Sequence, residues 1–344
     1  MRCQASIEFL GLLRCERQAF RIRGNAVPQP LDDLETLRKR QLAEFVDRCA
    51  HDCRKVLRWE AKFQCVPRDY HFPMTTRPPA VAGMFYEGTP ERLNAQVKAC
   101  FAGNPETKTK ARFIGAVVPH AGLMYSGHVA AAFYALAELP RRFIILCPNH
   151  TGAGHFAAIN RSGSWRTPLG EVQVDGALAD KLMAHSKLLA DDWRAHAKEH
   201  SLEVQLPFLQ QLLGEFTFVP ICLGAHRYDY AEEIGNAIAD VIRDEDEDIG
   251  ILASSDLNHY EDQKTTLRKD QLAIDEVLKL DPKELWRVVD EFDVSMCGFI
   301  PTTTMLIAAR KLGARSARLI KHATSGDVNG DYAHVVGYAA MIIV

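Results

Sequence analysis

The chain has 344 residues, enough for two average domains or for one large α/β fold. Its 47% hydrophobic and 25% charged residues describe a globular protein with a sizeable core. A net charge of -3 gives no reason to expect nucleic acid or an anionic membrane as partner, and no apolar run approaches the ~20 residues of a membrane helix.

Residues 1 to about 73 stand apart. They hold five of the nine cysteines (Cys3, Cys15, Cys49, Cys53, Cys65), many arginines and no strand-turn-helix rhythm. Ile7 to Leu13 is a short apolar run, but Glu8 interrupts it and no small-residue cleavage site follows, so a signal peptide is not expected. Leu34 to Phe63 carries apolar residues at roughly helical spacing. Cys49, His51, Cys53 and Cys65 match no zinc spacing, and Cys49 and Cys53 would share a helix face as ordinary apolar residues. An odd number of cysteines, unevenly spaced, argues for reduced thiols in a cytoplasmic protein. Residues 1–73 are therefore expected to be an extension, partly helical or poorly ordered, and residues 74–344 an α/β domain opening at Met74.

From there strands and helices alternate. Thr89-Pro90-Glu91 caps a helix running from Leu93 to Phe101. Phe113 to Val118 reads as a buried strand stopped by Pro119, with His120 on the turn beyond it and a helix from His128 to Leu136. Phe143 to Cys147 repeats the pattern, stopped by Pro148, with His150 two residues on. Phe156 to Ile159 is a short strand, Ser164 to Gly170 a loop over the sheet edge, and Asp175 to Ala184 a helix. Glu199-His200-Ser201-Leu202-Glu203 opens a helix to about Leu213, with Leu202, Leu206, Leu209, Leu212 and Leu213 as its buried stripe and Glu199 and Glu203 on one face. Phe216 to Leu223 is a strand, Tyr230 to Ile242 a helix and Asp244 to Asp248 a solvated loop. Ile249 to Ser254 is another buried strand, followed by Ser255, Asp256, Asn258 and His259. Helices over Leu267–Leu280, Pro282–Glu291 and Ile300–Leu312 and strands over Ala317–His322 and Val335–Val344 complete the chain, with Thr324 to Asp331 as a loop. The alternation predicts a sheet covered by helices on both faces.

Three strands thus end in His120, His150 and the pair Asp256/His259, at the sheet edge where open α/β folds collect ligands. Cys297 lies just before a helix, whose free amides would favour its thiolate. Two imidazoles and a thiolate can provide three legs of a zinc, iron or copper site, leaving positions for water or substrate. Each residue alone is more often structural than functional, Cys297 as a small buried hydrophobe.

The segments RPPAVAGMFYEG, VVPHAGLMYSG, CPNHTG, EHSLEVQLPFLQ, SSDLNHY, CGFIPTT and TSGDVNGDY, in this order over about residues 76 to 344, resemble the Memo family, called AmmeMemoRadiSam system protein B in bacteria and archaea. That resemblance implies a three-layer α/β fold with a mixed, largely parallel sheet, similar to class III extradiol dioxygenases. It implies a metal site of His120, His150 and Cys297, where those dioxygenases use two histidines and a carboxylate. His259 resembles their acid/base histidine, with Asp256 orienting it. Glu199, His200 and Glu203 match the family's EHSLE segment, which leaves two equal readings for them, helix capping with orientation of the metal histidines or a direct catalytic or substrate-binding role; Tyr125 is a further candidate for that layer or for a substrate contact. The implied activity is dioxygenase-like redox chemistry on a small, phenolic substrate, with Fe(II) as the metal, copper as the alternative and zinc behind both. The rival readings are a non-catalytic metal- or peptide-binding protein and a zinc hydrolase. Radical SAM and AMMECR-type proteins of the same system are the implied partners, although this chain carries no CxxxCxxC cluster motif.

Overall fold

The computed structural model describes residues 76–104 and 110–344. The readings made for residues 1–73, Cys49, His51, Cys53 and Cys65 among them, lie outside these residues.

The chain enters through β1 (Thr76–Arg77) and α1 (Pro90–Cys100), where Thr89 is the N-cap and proline takes the first helical position. There follow β2 (Gly115–Val118), α2 (Leu123–Leu136), β3 (Arg142–Pro148), β4 (Ala157–Ile159), β5 (Ser164–Thr167), β6 (Gly170–Val174), α3 (Gly176–His185) and β7 (Ala190–Asp191). The second half brings α4 (Leu206–Leu213), β8 (Thr217–Leu223), α5 (Tyr228–Arg243), β9 (Ile249–Ser254), β10 (His259–Glu261), α6 (Gln263–Leu278) and α7 (Pro282–Glu291). It ends with α8 (Phe299–Lys311), β11 (Ala317–Thr324), the single turn α9 (Gly326–Asn329) and β12 (Val335–Ile343).

In the middle of the sheet β6, β8, β3, β9 and β2 lie side by side and parallel. β12 closes antiparallel on β2 and β5 antiparallel on β6. Every residue of β2 and β9 is buried, because helices cover both faces of the sheet. Val117, Ile144, Leu146, Ile251 and Ala253 face one core, filled out by α3, α5, α6, α7 and α8. Ala116, Val118, Phe143, Ile145 and Leu252 face the other, filled out by α1, α2 and α4. The result is the expected three-layer α/β architecture. Gly127 lets α2 approach α1 closely: a Cβ there would lie 2.5 Å from the Cys100 sulfur. Among the described residues no helix is long and apolar enough to cross a membrane.

Several local expectations are corrected. Ser164 to Gly170 is not a loop but β5 and its turn into β6, paired from Ser164↔Gln173 to Thr167↔Gly170. Trp165 gives that strand its hold, since it is wholly buried edge-on to Phe218 with the Arg77 guanidinium 4.1 Å over its ring. The helix expected from Glu199 begins only at Leu206, after a 3-10 turn over Glu203–Gln205, so Glu199 and Glu203 do not share a helical face. Leu212 is exposed rather than part of a buried stripe. α2 begins at Leu123, ahead of the expected His128. In the acidic run Glu245 turns inward to Arg142, 2.7 Å away, and to Lys181. His259 to Glu261, for which no element was expected, is a strand paired with β12.

Candidate metal centre

β3, β9 and β2 are neighbours and parallel, so their carboxyl ends deliver His150, Asp256 and His120 to one edge of the sheet. A cavity of about 570 Å³ opens there, with His120, His150, His200, Asp256, His259, Ser295 and Cys297 in its wall. Met84, Phe85, Met124, Tyr125, Tyr260 and Val336 supply its apolar surface.

His120 is buried, and its backbone N–H donates to Asp256 Oδ1 at 2.7 Å. Its Nδ1 lies 3.0 Å from Ser254 Oγ. That hydroxyl donates to the Ser201 carbonyl at 2.6 Å and accepts from Gln205 Nε2 at 2.8 Å, so it is an acceptor towards His120. Nδ1 therefore carries the proton and Nε2 the free lone pair. His150 is fixed in the same way by Glu199, which accepts from its backbone N–H at 2.6 Å and from Nδ1–H at 2.9 Å. Glu199 also accepts from the N–H groups of His200 and Ser201 and from the Ser201 hydroxyl. Burial alone would raise this carboxyl; its His150 and Ser201 partners outweigh burial and hold it down at about 2.

His200 stands with these two histidines rather than behind them. Its ring stacks on His150 with centroids 4.8 Å apart and meets His120 edge-on at 5.5 Å. A ring nitrogen from each of His120, His150 and His200 falls within 4.8 Å of the others, close enough to share one ion. Burial holds His120 and His200 below the ordinary imidazole range, in the neutral form a metal needs. His150 goes the other way: burial lowers it, and the Glu199 hydrogen bond and charge outweigh that and raise it.

Cys297 Sγ lies 3.3 Å from His120 Nε2. Gly298 makes this approach possible, since a Cβ there would sit 2.4 Å from Ser255 Cβ. The expected help from the following helix is not found: the sulfur receives the Asp256 N–H at 3.3 Å, and burial, then the Asp256 charge, pushes the thiol well up. A thiolate here needs a cation beside it.

His259 hangs on Ser295. Its N–H donates to Ser295 Oγ at 2.7 Å and its Nδ1–H to the Ser295 carbonyl at 2.9 Å, leaving Nε2 as an acceptor. Ser295 was not legible as a functional residue; its place two positions before Cys297 is the one signal that could have found it. Asp256, expected to orient His259, instead braces the His120–Ala121 turn through both backbone N–H groups. Burial raises its carboxyl. Tyr125 lines the cavity. Glu203 faces away, bonded to Arg77 at 2.6 Å, to the Tyr86 hydroxyl and to the N–H groups of Ala80 and Val81. It thereby shapes the segment that carries Met84 and Phe85 into the cavity wall.

Residues 77–342 match the family model described as Memo-like protein. The chain belongs to the Memo-like family. Among its relatives, a MEMO1 family protein of Methanopyrus kandleri is 44% identical over 277 residues, covering 77% of this chain and 98% of the relative. A MEMO1 family protein of Sulfolobus acidocaldarius is 47% identical over 281 residues, with the same shares covered. Among solved structures, an uncharacterized protein of Escherichia coli K12 aligns with TM-score 0.47 and 12% identity over 67% of this chain and 100% of its own.

The donor set suits a metal ion. In this Memo-like chain two of the three clustered imidazoles have Nδ1 committed to protein acceptors, as metal-binding histidines do, and the Cys297 thiol stands beside the free Nε2 of one of them, His120.

Proposed function

We propose that this Memo-like protein is a metal-dependent oxidoreductase acting with O2 on a small, hydroxylated ring substrate, with Fe(II) as its metal and copper as the alternative. The observation that carries this is the cluster of His120, His150 and His200 with Cys297 at its edge, at the floor of an apolar cavity. His120 and His150 would hold the ion, with Cys297 or His200 as third ligand. Bound iron would supply O2 chemistry, and bound copper one-electron chemistry, for which a thiolate ligand is suited.

The chain's own groups set the rest. The Glu199 carboxylate on Nδ1 strengthens His150 as a donor and fixes its ring. His259 Nε2 would take the proton of a substrate hydroxyl, an exchange an imidazole performs near neutral pH. Ser295 keeps His259 in the tautomer that this needs.

The test is elemental analysis of anaerobically purified wild type beside Cys297→Ser and His200→Ala. Near-stoichiometric iron or copper, lost in either variant, with oxygen uptake on catechols that His259→Ala abolishes, is the expected result. Little metal in the wild type even after reconstitution would sink the reading and put a non-catalytic binding protein ahead.

A second reading draws on the three-imidazole grouping, which is also a zinc donor set with room for an activated water. Retained zinc and no oxygen uptake would favour that hydrolase.

A further inference from the structure

Three described residues other than glycine have positive φ: Tyr260 at 59°, Leu280 at 57° and Asp293 at 50°. Leu280 and Asp293 follow the last turns of α6 and α7, where a left-handed residue commonly ends a helix. Tyr260 has no such reason. It sits inside β10, where the pairing jumps from His259↔Val336 to Glu261↔Val335, a bulge whose left-handed residue is ordinarily glycine. An aromatic side chain there is strained, and with 73% of its surface exposed it regains little by burial.

That ring belongs to the cavity wall, edge-on to His259 with centroids 5.6 Å apart. Met84 and Met124, 70% and 63% exposed, line the same cavity. Three of the most exposed large apolar side chains thus gather at one opening above the histidines. No lysine or arginine is among the described residues lining it, so the mouth offers no permanently charged side chain to an anionic ligand.

We propose that Tyr260, with Met84 and Met124, forms a ring-binding subsite at the cavity mouth, and that Tyr260 is a specificity-determining residue held in a strained conformation for that purpose. This rests on the reading that the cavity takes a small molecule, and it deepens that reading. The ligand is a planar, uncharged aromatic, its faces held by the tyrosine ring and the two thioethers, its hydroxyl directed towards His259. A flexible or multiply anionic ligand gains nothing from such a mouth.

The test uses the full chain stripped of metal, so that it stands whether or not the site proves to be iron-loaded. 2-Naphthol is titrated by calorimetry against wild type, Tyr260→Gly, Tyr260→Ala and Tyr260→Phe, with decahydro-2-naphthol as the saturated control. Wild type should bind naphthol and not its saturated counterpart. Tyr260→Gly and Tyr260→Ala should each lose roughly 5-fold in affinity, the worth of one aromatic contact, and Tyr260→Phe should keep it. Thermal unfolding separates strain from support: Tyr260→Gly should melt no lower than wild type, and above Tyr260→Ala, which keeps the strain and loses the ring. Unchanged naphthol affinity in the glycine and alanine variants, absent naphthol binding by wild type, or a Tyr260→Gly melting point below wild type would each overturn the proposal.

Discussion

Glu199 does the most at the scale of single residues. One buried carboxylate fixes the ring of His150, receives the next two backbone N–H groups and lies 3.5 Å from His200. Nothing in the sequence distinguishes it from Glu203, four positions on, which faces Arg77 and Tyr86 instead. The positions of His120 and His150 were legible, because a strand stopped by proline puts the next polar residue at the sheet edge, whereas that of His200 was not. Ser254, Gln205 and Ser295 were not, since serine and glutamine are ordinary residues anywhere and their partners here lie far away in sequence. Another histidine, outside the cluster, contributes to the acid behaviour of the fold. His196 is buried edge-on to Trp165, and burial first and the Arg77 charge second push it down to about 3. Its folded value lies below its unfolded one of about 6.5, so the unfolded chain takes up the proton first as pH falls. Stability contributed by neutral His196 is therefore complete above pH ~6.5 and drains away down to pH ~3. His196→Phe should make the urea midpoint of the metal-free protein less sensitive to pH across that window. An acid limb as steep as in wild type would show that His196 does not carry it.

Elements were read well where burial is complete and poorly where it is one-sided. The boundaries of β9 fall where the run Ile249–Ser254 puts them, because both faces of that strand meet helices and every position must be apolar or small. β5 resembles a loop in sequence because Ser164, Arg166 and Thr167 look like surface residues and only the buried Trp165 marks the strand. In the stretch before α4 the spacing of leucines and of Glu199 and Glu203 suggests a helix, whereas Pro207 favours a helix start at that point. The approach of the α8 entry to the end of β9 is the most exacting fit at the site. A methyl group on Gly298 would lie 2.4 Å from Ser255 Cβ and 2.5 Å from the Ser254 carbonyl oxygen, so strand or loop must move. Gly298→Ala is expected to destabilise the protein by about 1–3 kcal/mol and to swing Cys297 away from His120. Denaturant unfolding reads the first effect and the cobalt(II)–thiolate absorption band the second. Full stability together with an unaltered band would mean that the close approach does not constrain the cysteine.

For the whole molecule, the order of the central strands matters more than any one of them. β9 comes late in the chain yet lies between β3 and β2, so the site cannot form until residues more than a hundred apart in sequence have paired. The helices that seal the two faces leave only the strand ends open, and the cavity stands at those ends. An ion bound there would tie the ends of β2 and β3 to the segment before α4, three separate pieces of the fold. Metal that binds the folded state alone adds RT ln(1 + [M]/Kd), about 2.7 kcal/mol at a hundredfold excess over Kd. In a domain of this size each kcal/mol moves the melting temperature by roughly 2–4 °C, so loading should raise Tm by about 5–10 °C. Differential scanning calorimetry of stripped and reloaded protein measures the shift directly. His120→Ala, which removes the most buried of the three imidazoles, should abolish the increment. Equal melting temperatures with and without metal in wild type would mean that the three histidines do not clamp an ion in the folded state, and that their packing serves the fold alone.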